Sequence, residues 1–535
     1  MMKEYDCVII GHYESDFNGF ANRFRLLSEQ SGAYHEALTN SIRMNGIRVT
    51  NTDLLNAGLE SATGKKWDLN PFKIPHLGVF YLTSFLRKRG IRTEFINSFN
   101  FDESTLSEKV SKAYTVAITT TYYLTDESIV KLVRYIRSCS QARIIIGGPR
   151  IFRIYQDTPA KIRRDTHLKS IGADIYVIDS QGELTLSRVV KAITEEDTNL
   201  KRIPNIIFRE KDGTMCETVR EPEKNDMNTN AVQWSLFKEN EYAPTVNLRT
   251  TRSCPFSCEF CSYPSFAGTY TLVDTDVLEN EFRYLSEHGV RNIVFIDDTF
   301  NVPLPRFKDL LRRIIKNKFN FRWVSYFRTS VSDEETYDLM AESGCIAVYL
   351  GIESADQELL NKMNKHAKAE QYRKAITGLL KRNIMTLASL VIGFPGENEN
   401  SIKKTIELLQ ETRSTFYALQ LYFYDTLTPI YSKREEYGLQ GAGFGWSHNT
   451  MDWKEAIHWK EYIIRNVTNS INLPFFGMNI WSLPYFLEKG LPMELLLKFF
   501  EFNNSYLRAS LDNDKLDISS QMESLTNLLS KSLLK

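Results

Sequence analysis

The chain is 535 residues long, too long for one ordinary hydrophobic core, and the usual domain size divides it into two or three domains. Hydrophobic residues make up 42% and charged residues 25%, the composition of a folded globular protein and not of a disordered one. Lys plus Arg equals Asp plus Glu at 66 each, so no general field draws the chain to nucleic acid or to an anionic membrane, and a small molecule or a peptide is the expected partner. The opening Met1-Met2-Lys3-Glu4-Tyr5-Asp6 has neither the length nor the flanks of a signal peptide. No apolar run approaches the roughly 18 residues of a membrane span. A cytoplasmic location is expected. Seven cysteines, three of them in one short cluster, suit metal ligation in a reducing compartment better than a disulfide framework.

In chain order, short β-branched runs alternate with helical patterns. Strands are predicted at Cys7 to Gly11, Arg92 to Ile96, Thr115 to Thr119, Ala142 to Gly148 and Ile175 to Ile178, with helices at Leu77 to Arg89 and Asp126 to Ser138. This alternation predicts a parallel, doubly wound (Rossmann-like) α/β domain over residues 1–200, with ligands at the carboxyl ends of its strands. Residues 201–244 lose the period and read as a linker with one hairpin at Asp212-Gly213. Alternation resumes over 245–428, with strands at Val246–Arg249, Asn292–Ile296, Arg322–Tyr326, Ala347–Gly351, Thr386–Ile392 and Tyr417–Tyr422. Six strand–helix repeats predict a partial (β/α)6 barrel. Residues 429–535 begin with a Gly-rich and aromatic segment and continue as helices.

The barrel's first loop carries the sharpest motif, Arg252-Ser253-Cys254-Pro255-Phe256-Ser257-Cys258-Glu259-Phe260-Cys261. A cubane cluster has four iron corners, so three protein thiolates leave one iron open to a substrate or cofactor. A zinc site would want a fourth protein ligand, and the nearest downstream histidine is the distant His288. Three buried structural cysteines are the plainer alternative.

This spacing resembles the signature of the radical S-adenosylmethionine (SAM) superfamily, whose [4Fe–4S] cluster binds SAM at the open iron. The resemblance makes Cys254, Cys258 and Cys261 the cluster ligands and puts Phe260 beside the adenine. It extends to Asp297-Asp298 after the second barrel strand, Glu353-Ser354 after the fourth and Gly393-Phe394-Pro395 after the fifth, which it implies as SAM-contacting residues. Each group lies at the C-terminal mouth, where barrel enzymes keep their sites. Taken singly, Asp297-Asp298 also reads as a solvated loop or helix cap, Glu353 as a cap for the next helix, and the Gly-Phe-Pro-Gly turn as a chain reversal.

A doubly wound domain before such a barrel resembles the cobalamin-binding domain of B12-dependent radical SAM enzymes. The residues that carry this resemblance are Pro75, His76, Leu77 and Gly78, Thr119, Thr120, Thr121 and Tyr122, Gly147, Gly148 and Pro149, and Gly182 with Glu183. The alternative is a domain of the same fold that packs without a ligand. The Asp-x-His-x-x-Gly cobalt-ligand motif is represented only by Asp165-Thr166-His167-Leu168-Lys169-Ser170, with Ser in place of Gly. That leaves the lower axial ligand open among His167, His12 and His76, each of which also reads as an ordinary polar residue.

The segment Gly438 to Asp452 resembles the C-terminal part of the PhpK and TsrM type of cobalamin-dependent (class B) radical SAM methyltransferases. Tyr424, Asp425 and His448 are the candidates to meet substrate; the alternative is an aromatic core with one satisfied polar group. The resemblance implies methyl transfer from SAM via methylcobalamin to an unactivated carbon or phosphorus centre of a small molecule or peptide, in natural-product biosynthesis. It also implies an electron donor such as flavodoxin or ferredoxin. The rival readings are a non-methylating cyclisation or rearrangement with the same cofactors, and a non-catalytic cobalamin sensor.

Overall fold

The strand Tyr5–Tyr13 (β1) is buried along its apolar stretch, Cys7 to Ile10, and a strand wet on neither face belongs at the centre of a sheet. In this computed structural model it does lie there. Thr93–Phe99 (β2) pairs with it on one side and Ala113–Thr119 (β3) on the other, both parallel. Arg143–Gly147 (β4) and Ile175–Val177 (β5) continue the sheet in parallel, and Ile206–Arg209 (β6) and Met215–Glu217 (β7) finish it antiparallel. The strand order is therefore 2-1-3-4-5-6-7. The structure describes residues 3–533 except 14–30, 40, 100–103, 122, 124–125, 159, 198, 474–477 and 514.

The parallel part, 2-1-3-4-5, reverses direction between β1 and β3, and that switch point is where doubly wound sheets open a crevice. The hairpin predicted at Asp212-Gly213 is β6–β7, with Gly213 in the left-handed region at φ 85. Within the expected linker, residues 206–217 are thus an edge hairpin of the first sheet, and residues up to 242 belong to the same compact unit. The charged Glu210, Lys211 and Asp212 form the turn of this hairpin, at a sheet edge where one side of the ladder faces water.

The second sheet is parallel throughout and follows chain order: Thr245–Leu248 (β8), Asn292–Phe295 (β9), Arg322–Phe327 (β10), Cys345–Glu353 (β11), Met385–Ile392 (β12), Phe416–Leu421 (β13) and Ile471–Asn472 (β14). The six expected strands are all present, and a short seventh comes from the C-terminal region. Alternate residues face opposite ways. On β10, Phe327 lies 6.3 Å from Phe307 of the covering helix Leu304–Lys316, so Tyr326 projects to the inner face.

The chain divides into two compact units, with segments exchanged relative to the expected boundaries. One holds residues 1–14, 72–242 and 263–277; the other holds 15–71, 243–262 and 278–535. Helix Asn51–Thr63 therefore belongs with the barrel and the C-terminal helices. A Cβ on Gly58 would come within 2.7 Å of Leu529, which shows how closely that helix packs on Met522–Leu533. The Asn45-Gly46 turn is held in the same unit by Asp517, which accepts both amides at 3.0 and 2.7 Å.

Candidate cluster and cofactor site

The cysteine loop leaves β8 under tight backbone control. Asp297, at the end of β9, accepts the Thr250 amide at 2.8 Å, the Thr251 hydroxyl at 2.8 Å and also the Thr251 amide, all through Oδ1. Burial raises its carboxyl above the usual range while these donors oppose the rise. Ser253 then turns through the left-handed region at φ 67. The Cys261 amide donates to the Cys258 carbonyl at 3.0 Å and the Glu259 amide to the Met363 carbonyl at 2.9 Å, while Asn364 Nδ2 donates to the Ser257 carbonyl at 2.9 Å. Arg328 stacks its guanidinium 3.5 Å from the Phe256 ring centroid. The loop is thus pinned at both ends and in the middle.

Its thiols are not spent on each other, since none of the seven cysteines forms a disulfide. Cys258 is buried, whereas Cys254 and Cys261 are half-buried. Burial pushes the Cys254 thiol up, with the charge of exposed Asp298 adding to the rise, and Thr299 Oγ1 lies 3.9 Å from its sulfur. Among the described residues no three His, Cys, Asp or Glu side chains gather as a mononuclear centre would gather them. What the loop offers is three separate thiols on one fixed backbone, the donor set of a cluster with an open iron.

Phe260 lies edge-on to Phe394, with ring centroids 6.3 Å apart at 83°, and Lys365 Nζ sits 5.7 Å from the Phe260 centroid. Glu353 ends β11 at φ 61 and forms a buried ion pair with Lys365 at 2.7 Å. A Cβ on Gly351 would lie 2.7 Å from Glu353 Oε1 and 2.8 Å from Lys365 Nζ, so the glycine makes room for the pair. Lys365 had no signal in the sequence; it follows helix Gln357–Lys362 in a loop without periodicity. The helix cap is Asp356, which accepts the Leu359 amide at 2.9 Å, and not Glu353. Ser354 is fully buried and its Oγ accepts the Asp356 amide at 3.1 Å, so this hydroxyl supports the turn.

The Gly393-Phe394-Pro395 turn is buried and held from two sides. Gly393 N–H donates to the Glu397 carboxyl, and Glu397, pushed up to about 8 by burial, stays protonated at neutral pH. The Gly393 carbonyl meets His448 Nε2 at 2.9 Å. His448 Nδ1 lies 3.3 Å from the Thr450 amide, which fixes Nδ1 as acceptor and Nε2–H as donor. The imidazole stacks on Trp446 at 4.9 Å and 4°, and Trp446 Nε1 donates to the Tyr422 carbonyl at 2.6 Å. Both ring nitrogens of His448 are engaged by protein, and through them it supports the turn. Tyr424 exchanges backbone hydrogen bonds with Gly443 at 2.8 Å in each direction, and Asp425 Oδ1 accepts the Leu427 amide at 2.9 Å; both side chains are buried.

In the first unit, Thr119, Thr120 and Thr121 leave the carboxyl end of β3 beside the switch point. Thr120 Oγ1 donates to the Gly147 carbonyl at 2.9 Å and accepts the Arg150 amide at 3.2 Å. Gly148, at φ 102, is required by this packing, because a Cβ there would lie 2.9 Å from Thr120 Oγ1. Gly147 and Gly148 remain half-buried, Pro149 is exposed, and Tyr122 falls outside the described residues. Buried Gly182 precedes helix Glu183–Thr194, whose first amides are taken by Glu223: Leu184 at 2.8 Å and Thr185 at 2.7 Å. Asn225 ties Glu183 to the same group at 2.7 Å.

Each histidine of this unit has a protein partner. His76 Nδ1 accepts the Val79 amide at 3.1 Å as the cap of helix Leu77–Arg87, and a Cβ on Gly78 would lie 2.7 Å from its ring; Pro75 and Leu77 flank it half-buried. His12 Nε2 donates to the Phe72 carbonyl at 3.0 Å. Burial lowers His12 to about 4 and His76 to about 3, so both are neutral. His167 Nε2 lies 2.7 Å from Asp126, which also takes a two-point ion pair from Arg150 at 2.8 and 2.9 Å.

Comparison with known proteins accords with this geometry. Residues 248–409 match the radical SAM superfamily model, a span that holds the cysteine loop, Glu353 and Gly393. The uncharacterized methyltransferase PH0819 of Pyrococcus horikoshii is 27% identical over 63% of this chain and 73% of its own length. The anaerobic magnesium-protoporphyrin IX monomethyl ester cyclase of Rubrivivax gelatinosus is 25% identical over 44% of each chain. Among solved structures, the radical SAM methyltransferase TsrM of Kitasatospora setae, determined with cobalamin and a [4Fe–4S] cluster bound, superposes with a TM-score of 0.55 at 17% identity, over 82% of this chain and 78% of its own. No helix among the described residues is long and apolar enough to cross a membrane.

Proposed function

The chain carries a radical SAM domain over residues 248–409, and from that premise we propose that it is a cobalamin-dependent methyltransferase, moving a methyl group from SAM by way of cobalamin to a carbon or phosphorus centre of a small molecule or peptide. The observation that carries this reading is the pinned loop with three unspent thiols below an aromatic and ion-paired mouth. When bound, the cluster supplies reducing electrons to SAM and the corrin supplies the methyl carrier.

The residues on the page supply the rest. Cys254, Cys258 and Cys261 would hold the cluster, and Thr299 would donate toward the Cys254 sulfur. Phe260 and Phe394 form an apolar corner for an adenine, and the Gly393 turn presents backbone that its neighbours hold in place. Glu353 and Lys365 put a carboxylate and an ammonium together at the end of β11, a neutral pair that can orient the oppositely charged ends of an amino acid moiety. In the first unit, the 2-1-3-4-5 strand order supports a corrin at the β1–β3 switch point, beside Thr119 to Thr121 and the half-buried backbone of Gly147 and Gly148. His12, His76 and His167 each have one ring nitrogen engaged by protein, and the reading singles out none of them as lower axial ligand.

The test is anaerobic incubation of the reconstituted protein with methyl-labelled SAM, hydroxocobalamin and a reductant against peptides, indoles and phosphinates. Label in product that depends on both cofactors is expected. The identity to a ring-forming cyclase favours one second reading, a non-methylating cyclisation, and SAM consumption with an altered but unlabelled product would favour it.

A further inference from the structure

Arg328 follows the last residue of β10 and is buried. Asn301 fixes its backbone on both sides, accepting the Arg328 amide at 2.9 Å and donating to the Arg328 carbonyl at 2.8 Å. From that anchor the side chain reaches the cysteine loop. Its guanidinium lies 3.5 Å from the ring centroid of Phe256, which stands midway between Cys254 and Cys258 in the chain. Two of its nitrogens donate to neutral oxygens, Nε to Ser330 Oγ at 3.2 Å and Nη2 to the Lys365 carbonyl.

What this cation lacks is a carboxylate. Among the described residues no Asp or Glu forms an ion pair with Arg328. The acids that follow it in the chain are spent elsewhere, Asp333 on Lys308, Glu334 on Arg382 and Glu335 on Lys308 and Arg312. At the mouth, Glu353 is paired with Lys365, and within the cysteine loop Glu259 is paired with Lys433. A guanidinium stays charged inside a protein, and a buried charge met only by dipoles and an aromatic face is costly. An anion sharing its surroundings would offset that cost. Three thiolates on a cubane make such an anion, because their charge outweighs that of the iron and sulfide they hold, and reduction adds one electron more.

We propose that Arg328 is a positioning residue with a second duty: it holds the loop through Phe256, and its unpaired charge is the counter-charge that raises the reduction potential of the cluster. The inference rests on the assignment of Cys254, Cys258 and Cys261 as cluster ligands. The step it governs moves one electron from an external reductant to the cluster, with no bond made or broken, and the added negative charge is what the guanidinium stabilises. A unit charge at about 10 Å, in an effective dielectric constant of about 20, shifts such an equilibrium by roughly tenfold or more. Tenfold corresponds to about 59 mV for one electron.

The decisive variants keep the stack and change the charge. Ser330→Asp puts a carboxylate where Ser330 Oγ now receives Nε, and Ser330→Asn is its neutral counterpart. The full chain is reconstituted with iron and sulfide, and the EPR signal of the reduced cluster is followed during titration with titanium(III) citrate. SAM and cobalamin are left out, so that an effect on their binding does not enter. Ser330→Asp is expected to make the cluster at least about tenfold harder to reduce, and Ser330→Asn to stay within about threefold of the parent. Arg328→Gln, which removes the charge outright, should lower the midpoint at least as far as Ser330→Asp. Parental iron with a parental midpoint in Ser330→Asp, or equal shifts in the Asp and Asn variants, would overturn the counter-charge, and this pair decides even if Arg328→Gln does not fold. Iron content and the parent's own signal separate the two readings. A parent that takes up no reducible [4Fe–4S] cluster sinks the cluster assignment and this inference with it, whereas full loading with an unmoved midpoint sinks only the role of Arg328.

Discussion

The cysteine loop and the Gly438–Asp452 segment are both dense in the residue types that build sites, yet the structure uses them in opposite ways. The loop is held by backbone amides and carbonyls and by Arg328, so its three thiols remain available. In the later segment the side chains themselves are the supports: Trp446 bonds the Tyr422 carbonyl, and His448 bridges Gly393 to Thr450.

The largest effect expected from breaking this contrast is in the loop. Replacing any one of Cys254, Cys258 or Cys261 by Ala is expected to abolish SAM cleavage and most of the bound iron, because two thiolates do not retain a cubane with one open corner. Iron analysis and deoxyadenosine release measure it, and a Cys258→Ala variant with parental iron and turnover would remove the central claim. Cys7, Cys139, Cys216 and Cys345 are expected to be dispensable in the same assays; burial pushes the Cys7 thiol up to about 12, and Cys345 is raised too, so neither supplies a thiolate.

Next in size is Gly393→Ala. The added Cβ would lie 2.4 Å from the Trp446 ring on a backbone at φ 92, so both crowding and backbone strain oppose it. A loss of at least about 2 kcal/mol is expected in denaturant unfolding. A variant that unfolds with the parent would mean that Trp446 does not press on the turn.

His448→Ala sharpens the contrast further. It leaves the Gly393 carbonyl and the Thr450 amide without their partner, and stability should fall by about 1–3 kcal/mol. Turnover per folded molecule should stay within a few-fold of the parent. An unchanged melting temperature with activity lost would return His448 to the role of substrate contact.

Much of this was legible in the sequence because it rests on local signals. The cysteine spacing marked the loop, and period-2 and period-3.6 patterns located all six central barrel strands to within a residue or two at most ends. What escaped depends on distant partners. Nothing near Lys365 announces that it will pair with Glu353. The exchange of residues 15–71 into the barrel unit was hidden for the same reason, since the contact of Gly58 with Leu529 spans most of the chain. The expected linker hid an edge hairpin because its turn, Glu210 to Gly213, carries the charge and glycine of a loop.

The remaining expectation concerns Glu397 and is a matter of pH. Its carboxyl is buried beneath the Gly393 turn and pushed up to about 8, against about 4.3 for a free glutamate. Between those values the folded protein keeps a proton that the unfolded chain has released, so stability present below about pH 4 is progressively lost as pH rises through 8, by up to about 1.4 kcal/mol per unit. Glu397→Gln removes the titrating group while keeping an oxygen for the Gly393 amide. Other groups bend the parent curve as well: His12 and His76, lowered to about 4 and 3, favour the folded state as pH rises toward 6.5, opposite in sign to Glu397. The comparison must therefore be the difference between variant and parent, taken by denaturant unfolding at successive pH values. The variant should gain on the parent steadily from about pH 4.5 to pH 8 and then level off. Curves that stay parallel across that window would mean the carboxyl is ionised in the folded protein, and the Gly393 turn would then rest on a charge and not on a neutral acid.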